Sequence, residues 1–450
     1  MPAKHGAPSS FLTEIDPRAA IKGSRDPLGL VPVWTRFGRG VVGNLTTVTT
    51  SVRGFTTLLL GLYFADEIIH SGDAEESQRA SLFLELEQLC AYSRQALRPQ
   101  DLDGTEALLG IIRVKRRLAD SPRIRISAEQ QHQILSNQKT YGLWGLYTVA
   151  ARHSGLVQKD ENRLTPLAFE FVQTQYLPRL SFAGSRSGSA ISHYLRNDRF
   201  FEPRGQGKAL AGALAEIHRP ALTKPEYELY SKALVNGSMN GQDNTQGRQR
   251  AFWQELEQIN DSGFLEWADP FSYLELTEVL KHAEANKNHE LAEALDRIRV
   301  LEPLLAALAS AFSFLLRRNR STLGSVAKEI GEAWGSGLRH LQLDSLAALG
   351  PRLSKAIGPD GATRLQLMAK ALRSGSYPKL VELLLQHNAA IMKERGGSPW
   401  VTLDQGKLNV RLREETGELA RADDLPYSWR NSYFLNSLKI VGARVHRKIH

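Results

Sequence analysis

The sequence predicts a mostly α-helical protein with minor β: a multi-helical chain with an embedded winged-helix-like unit and a C-terminal β-hairpin. Three observations carry this expectation. Apolar residues recur at helical spacing through most of the chain, as at Leu82, Leu86, Leu89 and Ala96. The run PWVTLDQGKLNVRL alternates apolar and polar residues around Asp404–Gln405–Gly406, which reads as a hairpin at 399–412. From Arg123 to Leu177 the order is a short basic strand (RIRIS), a short helix (AEQQHQIL), a longer helix (KTYGLWGLYTVAARHSG), a tight hairpin (LVQKDENRLTP) and a closing helix (LAFEFVQTQYL). That order fits a winged helix, a fold that grips DNA or docks proteins.

Residues 1–20 read as a flexible leader and 21–105 as an N-terminal helical domain. Within the latter, Thr49 to Ser51 offer capping hydroxyls for a helix running to about Ile69, and a second helix fits Glu75 to Leu97. Pro99 to Gly104 breaks the pattern, and Thr105 caps a helix over EALLGIIRVKRRLAD that ends at Asp120–Ser121–Pro122. The winged-helix-like unit occupies 106–178. A Gly/Ser-rich linker or mobile loop follows at 179–208. From 209 to 450 the text is a second helical domain, with a long helical run from Phe271 to Arg320, the hairpin, and a last helix from Trp429 to Val445. No repeat of fixed period occurs.

The totals bound the function. A chain of 450 residues with 42% hydrophobic and 23% charged residues has the composition of a globular protein. A net charge of +9 favours polyanionic partners without choosing among them. The one cysteine, Cys90, excludes a disulfide framework and a Cys-based zinc site. With no apolar secretory segment near the start, cytoplasmic localisation is expected. The apolar runs Gly54–Ala65 and Leu304–Leu316 fall short of the ~20 residues of a membrane helix, so no membrane insertion is expected.

Candidate site residues are basic. In a winged helix, the helix from Lys139 to Ser154 would lie in the major groove, packing Leu143, Leu146, Tyr147 and Ala150 inward. Lys139 and Arg152 would then face DNA, and the hairpin tip would bring Lys159 and Arg163 to the backbone or minor groove. Upstream, Arg113, Lys115, Arg116, Arg117, Arg123 and Arg125 form the densest basic cluster in the sequence. The nucleic-acid-binding set is therefore Arg116, Arg117, Arg123, Arg125, Lys139, Arg152, Lys159 and Arg163. Winged helices also dock proteins, so both ligands stay open. Arg25, Arg39 and Arg53, among glycines and the Thr-rich stretch Leu45 to Thr50, are either a phosphate cradle or structural. Gly205–Gln206–Gly207–Lys208 is no P-loop, since Glu202 stands where the first glycine belongs.

Catalytic chemistry is not legible. His282 and His289 lie seven residues apart, about 10.5 Å along a helix, too far for one zinc ion. Asp101 and Asp103 lack a strand carrying Glu-x-Lys, and Asp404 and Lys407 lack that spacing, leaving a divergent nuclease only as an alternative. No metal site, cofactor or catalytic residue is assigned. Arg317, Arg318 and Arg320 end an apolar helix, where cations complement its dipole.

R-D-P-L-G at Arg25–Gly29, L-T-T-x-T at Leu45–Thr49, R-G-F at Arg53–Phe55 and W-R-N-S-Y-F-L-N-S-L at Trp429–Leu438 resemble patterns of uncharacterised accessory proteins encoded in bacterial phage-defence islands. The resemblance covers some 60 residues, on the order of an eighth of a chain of this length. It implies a non-enzymatic component beside helicases, nucleases or ATPases supplied by other proteins. That component would either engage DNA or serve as a docking scaffold that never touches it.

Overall fold

The computed structural model describes residues 26–102, 104–106, 108–180, 189–195, 199–239, 245–261, 263–412 and 418–446, with Thr105, Ser189 and Asp261 described by backbone alone. Arg25 and Asp103 lie outside the described residues, as does most of the Gly/Ser-rich part of 179–208. In chain order the helices are α1 (Leu30–Gly38), α2 (Val52–His70), α3 (Arg79–Leu97), α4 (Ile111–Asp120), α5 (Gln138–Tyr141), α6 (Leu143–His153), α7 (Pro166–Phe171), α8 (Leu177–Leu180), α9 (Ser189–Tyr194), α10 (Lys208–Ile217) and α11 (Lys224–Tyr230). They continue with α12 (Arg248–Asp261), α13 (Tyr273–Ala285), α14 (His289–Leu315), α15 (Leu323–Trp334), α16 (Leu343–Ala348), α17 (Gly350–Ser374), α18 (Tyr377–Glu394) and α19 (Leu435–His446). The strands are β1 (Ile124–Arg125), β2 (Phe200–Phe201), β3 (Val401–Asp404) and β4 (Lys407–Val410). The protein is thus mostly α with minor β.

The chain forms two compact units, each assembled from separated stretches. One holds Gly38–Phe271, Glu278–Ala292 and the stretch from Ser432 onward. Its centre is the pair α2 and α3. Ser51 caps α2, its Oγ accepting from the amide of Gly54 at 2.9 Å. Almost every α2 side chain is buried, and Gly61 lies so close to the Phe83 ring that a Cβ would sit 2.6 Å from it. α6 packs on both α2 and α3, with an edge-on contact of Phe55 with Tyr147, 5.0 Å between ring centres. α10 packs on α3.

The other unit holds the described residues up to Phe37, with those of Ser272–Thr277 and Glu293–Asn431. α17 and α18 pack together, and α15 packs on α18. α17 bends at Ile357 and Gly358, just ahead of Pro359. The C-terminal hairpin stands in the expected place, with Asp404 opposite Lys407 and Val401 opposite Val410. Its two-residue turn puts Gln405 and Gly406 at φ 49° and 76°, the sign a type I′ turn requires. Residues 320–322 line up along β4: Arg320 N donates to Leu408 O at 2.7 Å and Leu408 N to Ser321 O at 2.8 Å. The cations at the end of α14 belong to this packing, with Arg318 on Glu329 at 2.8 Å and over the Phe314 ring at 4.0 Å. Among the described residues, α14 alone is long and apolar enough to cross a membrane, and 83% of its most apolar window is buried in the protein.

Helix boundaries depart from the sequence reading where a buried carboxylate reaches in. The helix expected from Glu106 starts instead at Ile111, after Gly110 at φ 76°. Glu106 is drawn to the N-terminus of α2, accepting from Ser51 Oγ at 2.6 Å, Val52 N at 3.1 Å and Arg53 N at 3.4 Å. The single helix expected over 139–154 is split at Gly142 into α5 and α6. Glu87 Oε1 accepts the Leu143 amide there at 2.9 Å. The last helix, expected from Trp429, begins at Leu435, because buried Glu302 accepts from the amides of Arg430 at 2.5 Å and Asn431 at 3.1 Å. The short helix expected over AEQQHQIL is one 3₁₀ turn at Gln130–His132.

Candidate functional site

The stretch 111–180 has a helix, a strand, two helices and a turn in the winged-helix order, but its strand does not pair with the turn. β1 pairs antiparallel with β2, Ile124 opposite Phe201 and Arg125 opposite Phe200. The turn at 157–164 closes on itself through one bridge, Val157 with Leu164, and Gln158 N donates to Arg163 O at 2.9 Å. α6, the expected recognition helix, is held between α2 and α3 by buried Leu143, Tyr147, Ala150 and Ala151. Leu146 is half-buried, and the exposed strip of α6 consists of Gly145, Val149 and His153. Gly145 and Val149 carry no hydrogen-bonding side chain, so this strip has little with which to read base edges.

The eight basic residues divide into two groups. Five have partners within the protein, some of them at its surface. Arg117 donates to Tyr92 Oη at 3.1 Å, to Gln131 O at 2.6 Å and to His132 O, tying α4 to α3 and to the following loop. Arg152 donates to Asn162 across the turn. Arg163 bridges Glu76 at 3.0 Å and Glu161 at 3.2 Å. Arg123, though exposed, pairs with Glu202 at 2.9 Å and stacks over Phe200. Arg125 is half-buried and also partnered. Arg116, Lys139 and Lys159 are exposed and have no acidic partner among the described residues, and neither has exposed Lys115. Exposed Ile112 lies on the same outer side of α4 as Arg116, one turn away.

The N-terminal basic residues are structural where they are described. Arg53, 1% exposed, pairs with Glu226 at 2.7 Å and donates to Arg219 O at 2.6 Å and Ala221 O at 2.9 Å. Arg39 donates to Val42 O, Gly43 O and Leu45 O, at 2.6 Å to the last, and stacks over Phe434 at 3.8 Å. Burial lowers its pKa to about 10. Arg53 spends its Nε, Nη1 and Nη2 on carbonyls, Thr56 and Glu226 and has no free face for phosphate, whereas Arg39 is anchored to carbonyls through Nη1. Groups of three or more potential metal ligands do not occur among the described residues.

A second feature has no counterpart in the sequence reading. Between the start of α2, α3, the loop at 108–109 and α6 lies a partly open chamber of about 80 Å³. Its walls carry Glu87, Cys90, Ala91 and Arg94 from α3, Gly54 and Thr57 from α2 with its cap Ser51, and Tyr147 from α6. Glu87, Cys90, Ala91 and Arg94 stand three or four residues apart, so they share one helix face. The small residues Cys90, Ala91 and Gly54 leave the space open.

Burial in this apolar setting raises the Glu87 carboxyl to about 7, against bonds from the Leu143 amide and Gln138. The Cys90 thiol is pushed up to about 12 by the same burial, which leaves it protonated and unreactive. Arg94, 4% exposed, donates to Glu106 O at 3.3 Å, its Nε has no partner, and the nearest Glu106 carboxylate oxygen is 3.9 Å away. Desolvation lowers its pKa. His218 is buried and held neutral by desolvation, its Nε2 2.9 Å from Oγ1 of Thr57.

The fold and these features define a mostly helical protein with exposed cations on α4 and α5 and at Lys159, and a small cavity between α2, α3 and α6. Comparison with protein-family models, curated proteins and solved structures finds no match to this chain.

Proposed function

We propose that this protein engages DNA through its backbone phosphates, as a non-enzymatic component of a bacterial anti-phage defence assembly. The observation that carries the reading is the contrast within one segment. Five of the eight basic candidates are engaged by other groups of the protein, whereas Arg116, Lys139 and Lys159, joined by Lys115, are exposed and form no ion pair among the described residues. Unpaired cations on a protein of net charge +9 are what phosphate contact needs. With α6 packed into the core, the contact is to phosphates rather than to base edges. The assembly context rests on the resemblance of Arg25–Gly29, Leu45–Thr49, Arg53–Phe55 and Trp429–Leu438 to accessory proteins of defence islands.

Fluorescence anisotropy with duplexes of unrelated sequence tests this. Binding is expected to be sequence-independent and to weaken steeply with salt, the slope of log K against log salt being about −0.9 per phosphate contacted. Absence of binding at low salt would overturn it.

A second reading is favoured by Ile112, 81% exposed beside Arg116. An apolar residue so placed suits a docking scaffold for a partner helicase, nuclease or ATPase. Recovery of a partner that survives nuclease treatment, without DNA binding by the protein itself, would favour the scaffold.

A further inference from the structure

We infer that the chamber between α2, α3 and α6 is a binding site for one small oxyanion, a carboxylate or a phosphate, with Arg94 as its principal donor. The donor inventory supports this. Arg94 is buried, its Nε has no partner, and its side chain forms part of the chamber wall. Tyr147 Oη already accepts from the Ser51 amide at 3.1 Å, so the proton it carries is the part still to be placed. The Glu106 carboxylate is occupied by Ser51, Val52 and Arg53, and at 3.9 Å it compensates the Arg94 charge incompletely. Glu87 has its carboxylate oxygens on Leu143 N at 2.9 Å and Gln138 Nε2 at 2.8 Å. The acceptors are thus satisfied and the donors are not, which is the imbalance an anion corrects.

Size restricts the ligand. The volume of about 80 Å³ is well below the roughly 300 Å³ at which sites for drug-sized ligands begin. It suits acetate or inorganic phosphate, or a few waters. The inference is independent of DNA binding, because none of the exposed cations lines the chamber.

The test is calorimetric titration of the full-length protein with acetate and, separately, inorganic phosphate, at ionic strength held constant with chloride. Acetamide serves as the uncharged isostere and benzoate as the oversized carboxylate. Saturable binding of one equivalent of acetate or phosphate is expected, with none of acetamide or benzoate; the two arms tell a carboxylate site from a phosphate site. In Arg94→Met, which keeps the length of the side chain, affinity should fall about ten- to a hundredfold. Cys90→Leu, which fills the chamber and keeps Arg94, should abolish binding. Binding of acetamide as tight as acetate, unchanged affinity in a folded Arg94→Met protein, or no binding of either anion at about 10 mM would each overturn the inference. The wild-type comparison of acetate with acetamide decides it even where a variant does not fold.

Discussion

Arginines inside the α2–α3 pair and cations on the outside of α4 and α5 belong to the same unit of the protein, yet they do opposite work. Arg53 is buried and bonded to Glu226 and two carbonyls, and Arg94 is buried and bonded to the Glu106 carbonyl; Lys115, Arg116, Lys139 and Lys159 are exposed and form no ion pair among the described residues. A buried charge is tolerated only with partners, and removing one partner strands the other. An exposed charge contributes little to stability and is available for a ligand. Density of basic residues in the sequence therefore says where charge is, while burial decides whether it serves folding or contact.

The largest expected effect lies inside. Glu226→Gln leaves the Arg53 guanidinium, paired at 2.7 Å, without its anion, and should lower unfolding free energy by about 3–5 kcal/mol in urea titrations. A loss under 1 kcal/mol, on the order of an exposed pair, would erase the distinction drawn between inside and outside. Glu106→Gln should cost about 2–4 kcal/mol, since it weakens the cap of α2 and uncovers Arg94.

A pH series sharpens the same contrast. The folded-state pKa of Glu87 is raised to about 7 from 4.5. Between those values the folded state keeps a proton that the unfolded chain has released, so the contribution of Glu87 is full below pH 4.5 and lost as pH rises through 7. The loss amounts to about 3 kcal/mol. Relative to Glu87→Gln, the wild type should lose stability over that window; parallel pH profiles would contradict the assignment. In the other unit, Gly406→Ala should cost about 1 kcal/mol, because the turn holds this residue at φ 76°. The smallest effect is expected outside: Lys115→Glu or Lys139→Glu should shift stability by less than about 0.5 kcal/mol.

The hairpin and the 106–142 segment show what the sequence could disclose. Val401–Val410 was legible because its signals are local, with alternation along both strands and a Gln405–Gly406 turn whose φ values suit two tight-turn residues. α2 was legible for the same reason, its start marked by Ser51. The boundaries at Glu106 and Gly142 were not, because groups distant in sequence set them: Glu106 by the Ser51 hydroxyl and the amides of Val52 and Arg53, 53 to 55 residues away, and the Leu143 amide by Glu87, 56 residues away. Side-chain and amide partners of that range leave no period in the text. The chamber left one faint mark, an acid and an arginine seven residues apart with Cys90 and Ala91 between them on one helix face. The basic candidates were visible as a cluster, but the partners of Arg117, Arg152 and Arg163 were not, and those partners decide which cations remain for DNA.

The most direct test of this division compares two sets of variants in one DNA-binding experiment. Lys115→Glu, Arg116→Glu, Lys139→Glu and Lys159→Glu together should flatten the salt slope by about 3–4 and abolish binding at moderate salt, with the unfolding midpoint unchanged. Arg152→Gln with Arg163→Gln should lower the midpoint and leave the salt slope as in the wild type. Equal DNA affinity in the wild type and the outer variant, or loss of binding only when the inner arginines are changed, would contradict the account.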